Sequence, residues 1–100
     1  MTNAFRRAYL RFPVESSAEI STLKARGIST ILTDVSAGGA GLVTNIPFDA
    51  MEKVEILIKS SILFKEVLKK KARVAWCEKV GFDLWQMGLD FGVDNLIKFS

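Results

Sequence analysis

The sequence predicts a small all-β domain, an antiparallel barrel of short strands, on three observations. Apolar side chains recur at every second position in several segments. β-Branched and aromatic residues concentrate in those same segments. Turn-forming glycines and charged residues separate them at short intervals. A barrel suits so short a chain because it closes its own sheet edges and fills its interior with side chains.

Residues 8–15 mix β-formers with charge, and Pro13 confines this first strand to a sheet edge or a bulge. Ala18, Ile20 and Thr22 then alternate with Glu19, Ser21 and Leu23, and Arg26-Gly27 supplies a turn before Ile28 resumes, which reads as a hairpin. The β-branched run from Ile28 to Thr33 leads directly into Asp34-Val35-Ser36-Ala37-Gly38-Gly39-Ala40-Gly41, after which Leu42-Val43 begins another strand.

Residues 49–72 carry competing signals. Asp49 with Glu52 mimics a helix capping box, and Glu66 to Lys71 has good helix propensity. Against this, Val54, Ile56 and Ile58 alternate with Glu55, Leu57 and Lys59, and Ala72, Val74 and Trp76 alternate with Lys71, Arg73 and Ala75. Period two fits the apolar residues better, so the region reads as strands. Glu78 to Gly81 reads as a turn, and Phe82 to Phe91 as a long last strand with Trp85, Met87, Leu89 and Phe91 on one face. The large aromatics Trp76, Phe82, Trp85 and Phe91 are read as packing residues. The lysines of the 69–71 tract, with Arg73, are read as a solvated outer face.

Composition narrows the function. A chain of 100 residues, 49% hydrophobic and 25% charged, makes one compact domain. The N-terminus lacks the pattern of a signal peptide and no apolar stretch approaches a membrane span, so a soluble, cytoplasmic protein with no membrane insertion is expected. A single cysteine, Cys77, and the absence of histidine leave no intramolecular disulfide, no metal-ligand set and no Ser-His or Cys-His pair. No catalytic residues and no metal are therefore expected, and an enzyme is not. Net charge +3 favours an anionic partner only mildly, and nucleic acid is an unlikely one.

Two local patterns stand out. Arg7 and Arg11 lie four apart with Arg6 beside them, and Asp34-x-Ser36-x-x-Gly39 follows a predicted strand. Each alone reads blandly, the first as a solvated basic end and the second as an ordinary turn. Together they resemble the PilZ domain family, whose pattern is Arg-x-x-x-Arg followed by Asp or Asn-x-Ser-x-x-Gly. Ala72-Arg73-Val74-Ala75-Trp76 and Gly88-Leu89-Asp90-Phe91 are similar to the family's two closing strands, so the resemblance covers nearly the whole chain.

The resemblance implies a six-stranded antiparallel barrel that binds the bacterial second messenger cyclic di-GMP and signals to an effector protein, here as a stand-alone domain, monomeric or homodimeric. It implies a ligand site of Arg6, Arg7, Arg11, Asp34, Ser36, Gly38 and Gly39, with no cofactor besides that ligand. Residues 1–11 would form a mobile ligand-binding segment, 12–92 the barrel, and 93–100 a tail or short helix. The chemistry agrees. A guanidinium matches the O6 and N7 acceptors of guanine and pairs with phosphate, and the Asp34 carboxylate accepts from the N1–H and N2–H edge. Ser36 can donate to phosphate or base, and Gly39 lets backbone approach without a Cβ. Two further readings are a PilZ-like protein-interaction module without nucleotide and a small barrel for single-stranded nucleic acid, the latter weakened by the modest charge.

Overall fold

A computed structural model describes residues 10–59 and 67–97, except the side chain of Asp94. Their strands are β1 (Arg11–Ser21), β2 (Ile28–Ser36), β3 (Gly39–Thr44), β4 (Lys53–Ile58), β5 (Leu68–Gly81) and β6 (Leu84–Asp90), followed by a single 3-10 turn, Val93–Asn95. All pairings are antiparallel, and the sheet closes in the order β1-β2-β3-β6-β5-β4. The expected all-β antiparallel barrel is the observed one.

Alternation builds its interior. Ile20 from β1, Leu32 and Val35 from β2, Leu42 from β3, Ile56 and Ile58 from β4, Val74 from β5 and Met87 from β6 are all 0% exposed. Fully burying each such side chain contributes about 1.5–3 kcal/mol. Phe48, Phe91 and Ile97, also buried, join this core from outside the strands.

Several expectations are corrected. The segments read as two strands, 8–15 and 18–24, meet in one strand, β1, with a register shift between Pro13 and Ser16 absorbing the proline. The capping-box pair does interact, with Asp49 N–H donating to Glu52 Oε1 at 3.2 Å, yet no helix follows. Met51 adopts a positive φ of 70°, and Met51 N–H and Glu52 C=O both bond to Val74, which leads the chain into β4. Residues 60–66, including Glu66 of the run with helix propensity, lie outside the described residues.

The turn read at Glu78–Gly81 is strand. β5 runs on to Gly81 and the reversal falls at Phe82–Asp83, where Asp83 has φ 48°. Phe82, read as packing, is 91% exposed at that tip. Trp76, also read as packing, leaves the interior. β5 pairs Val74 with Leu89 and Trp76 with Gly88, so Ala75 is an extra residue and the alternation changes face there. Met87, Leu89 and Phe91 do point inward as expected.

Candidate functional site

The registers of five strands draw two rows of residues across the outer face of the barrel. The first runs Arg11, Ser36, Gly39, Asp90, Arg73. The second runs Pro13, Asp34, Gly41, Gly88, Trp76. Residues far apart in sequence, Gly39 with Asp90 and Gly41 with Gly88, thus become lateral neighbours, roughly 4.8 Å from strand to strand.

Two bulges set which side chains face out. β2 pairs Leu32 with Leu42 and Asp34 with Gly41, which leaves Thr33 as an extra residue. Leu32 and Val35 are therefore both fully buried while Asp34, between them, projects outward. Without the insertion, strict alternation would aim Asp34 into an apolar interior. The Ala75 bulge does the same for Trp76 at the other end of the row.

The carboxylate of Asp34 leans over Gly41. A Cβ at Gly41 would lie 2.9 Å from Oδ2, 3.0 Å from Oδ1 and 3.1 Å from Cγ. From the opposite side the indole of Trp76 leans over Gly88, where a Cβ would lie 2.5 Å from Nε1. Gly41 and Gly88 are paired with each other. The result is a floor without side chains between an acid and an aromatic ring. Asp34 Oδ1 accepts a hydrogen bond from Arg11 Nη2, and the two side chains are 24% and 27% exposed. Both partners of this ion pair stay within reach of solvent and ligand.

The turn beneath is tied from within and from behind. Ser36 is 1% exposed and its hydroxyl donates to Gly39 O at 3.4 Å. Phe91 N–H donates to Gly38 O at 2.9 Å, and Ile97 N–H to Ala37 O at 2.7 Å, so the segment after β6 hangs from the turn. Gly38 and Gly39 are buried, and neither adopts a positive φ. What Gly39 offers here is an outer face without a side chain rather than a special backbone conformation.

Of the residues singled out from the sequence, the structure brings together Arg11, Asp34, Ser36, Gly38 and Gly39. Arg6 and Arg7 lie outside the described residues. Sequence reasoning missed Gly41, Gly88 and Trp76. Gly88 had a signal, because a glycine inside a strand marks a close approach by a ligand or another group. Chemically, the patch combines a guanidinium, a carboxylate and an indole packed over buried glycine backbone, groups that suit a planar ring with hydrogen-bond donors on one edge.

The PilZ domain family model matches residues 5–97. Among solved structures, the Bacillus subtilis inhibitor of motility (MotI/DgrA) superposes with a TM-score of 0.67 at 19% sequence identity, covering 95% of this chain and 44% of that one. At that identity the likeness speaks for the fold, and this chain spans under half of that protein. No curated protein sequence matches the chain.

Proposed function

Because the chain belongs to the PilZ domain family, we propose that it is a receptor that binds cyclic di-GMP on the outer face of its barrel and passes the event to a protein partner. The observation that carries this reading is the convergence of Arg11, Asp34 and the Ser36–Gly39 turn beside the floor formed by Gly39, Gly41 and Gly88.

Binding is an exchange of partners. Without ligand, Arg11 and Asp34 satisfy one another. A guanine presents N1–H and N2–H to the Asp34 carboxylate and frees the guanidinium for the O6 and N7 acceptors or for a phosphate. Neither charge is left unpaired during the exchange, which keeps the desolvation cost low. When the Asp34 carboxylate turns to the guanine it leaves the glycine backbone that it covers, which makes room for the base, and the Trp76 indole supplies a stacking face at its edge. Ser36 shapes the turn through its bond to Gly39 O. Arg6 and Arg7 add further cationic contacts from the N-terminal segment. The Ala37 and Gly38 carbonyls hold the segment after β6, so a ligand pressing on the turn acts on that segment as well.

Calorimetric titration with cyclic di-GMP tests the proposal. Arg11→Ala and Asp34→Ala should each weaken binding by about 1–3 kcal/mol, roughly five- to 150-fold. Absence of binding by the folded wild-type protein, or wild-type affinity in both variants, would refute it.

A further inference from the structure

A second feature of the surface begins at Arg73 and Asp90, the far end of the first row, and carries three further cations beyond it. A cleft of about 630 Å³ runs over β4 and β5. Its walls are the β1–β2 turn on one side and the segment after β6 on the other. Arg26, Lys53, Lys71 and Arg73 line it, with Glu55 and Asp90 as the acids. Among the described residues none of these four cations forms an ion pair. The two carboxylates are already engaged, Glu55 with Lys69 at 3.7 Å and Asp90 Oδ1 with Gly92 N–H at 2.7 Å. Glu55 lies opposite Lys71 and Asp90 opposite Arg73, so with four cations to two carboxylates the cleft carries a net positive charge.

We propose that this cleft docks an acidic, extended polypeptide segment of a partner protein. Charge complementarity points to the sign of the occupant, and the strand geometry points to its shape. Lys71 and Arg73 stand two residues apart on one face of β5, about 6.5–7 Å from each other along the strand. Lys53 lies directly opposite Arg73. An extended peptide repeats its side chains on one face at that same interval, so acids at alternate positions meet the cations in register. The rim favours polypeptide too, because Leu23 is fully exposed there. Its turn is rigidly tied, with Lys24 and Ala25 N–H bonded to Thr22 Oγ1 at 3.1 Å and Gly27 N–H bonded to Ser21 Oγ at 3.0 Å. The exposed Leu23 side chain on that turn gains apolar burial when a partner covers it. This docking does not depend on the cyclic di-GMP reading.

Fluorescence anisotropy with a labelled ten-residue peptide alternating glutamate and valine tests it on the whole chain. Saturable binding is expected, at least tenfold weaker in the double variant Lys53→Glu, Lys71→Glu and at least threefold weaker in Leu23→Ala. A peptide of the same composition with its glutamates in one block should bind at least threefold more weakly than the alternating one. No saturable binding to wild type would overturn the proposal, as would equal affinity for the two peptides. Wild-type affinity in the double variant with unchanged circular dichroism, or tighter binding of a ten-nucleotide single strand, would do the same. Titrating the double variant with cyclic di-GMP separates the two sites, since its charge reversals lie apart from Arg11 and Asp34.

Discussion

One added methyl group separates the proposed ligand chemistry from the stability of the barrel. In Gly41→Ala the new Cβ would meet three atoms of the Asp34 carboxylate within 2.9–3.1 Å, so the carboxylate must rotate away from the floor. Gly41 lies in the extended β3 strand without a positive φ, and alanine there gains about 0.5–1 kcal/mol of backbone entropy over glycine. Opposing this are an off-rotamer cost of about 0.5–1.5 kcal/mol at Asp34 and a weakened Arg11–Asp34 pair. That pair is about a quarter exposed on each side, so its loss costs no more than about 1 kcal/mol. The terms oppose one another, and the folded protein should survive with a stability change between a gain of about 0.5 and a loss of about 2 kcal/mol. Ligand affinity has no such compensation. Displacing the carboxylate from the guanine edge removes a two-point contact worth about 1–3 kcal/mol, a weakening of roughly five- to 150-fold. Calorimetry with cyclic di-GMP, alongside thermal unfolding of the same sample, reads both quantities. A variant that unfolds near the wild-type temperature and binds with wild-type affinity would refute the role given to Asp34.

Further outcomes follow from the face each residue occupies. Trp76→Ala should lower cyclic di-GMP affinity by about 1–3 kcal/mol, the usual worth of one stacked base, and unchanged affinity would remove the indole from the site. Ile56→Ala, at a fully buried position, should cost about 2–5 kcal/mol of stability in denaturant unfolding. Phe82→Ala, at the exposed hairpin tip, should stay within about 0.5 kcal/mol, and the reverse ranking would contradict the assignment of faces. Thr33 Oγ1 is buried without a hydrogen-bond partner among the described residues, so Thr33→Val should stabilise by about 1 kcal/mol. For a domain of this size that raises the melting temperature by about 4–8 °C, and a fall would show that the hydroxyl is satisfied.

The regular part of this barrel is legible in the sequence because alternation reports burial directly. Ile56 and Ile58, or Met87, Leu89 and Phe91, could be assigned to the interior from spacing alone, and they are buried. The residue types of the proposed ligand motif were equally visible, and the structure brings its described members together around the β2–β3 turn. What escaped were the irregularities. A single inserted residue reverses every later side chain in a strand, and no residue type announces it. Ala75 therefore hid the outward turn of Trp76, and Thr33 hid the reason that Asp34 faces out. The β5–β6 reversal was misplaced for a related reason. Gly81 looks like a turn residue, whereas the positive φ is borne by Asp83, a residue type that tolerates it. At residues 49–52 the local capping signal was real, but the hydrogen bonds of Met51 and Glu52 to Val74 prevailed over it.

The two rows across the outer face also bear on how the domain comes into being. They depend on the pairing of β3 with β6, which joins Gly39 to Asp90 and Gly41 to Gly88 across about half of the chain, and such pairings form late because the intervening loop must close first. During synthesis, a chain that has emerged through β5 already contains Arg11 and the whole turn. It still lacks Gly88 and the N–H groups of Phe91 and Ile97 that hold the turn in place. The face is therefore among the last parts of the domain to be completed, so an unfinished or C-terminally clipped chain would carry the motif without presenting the surface.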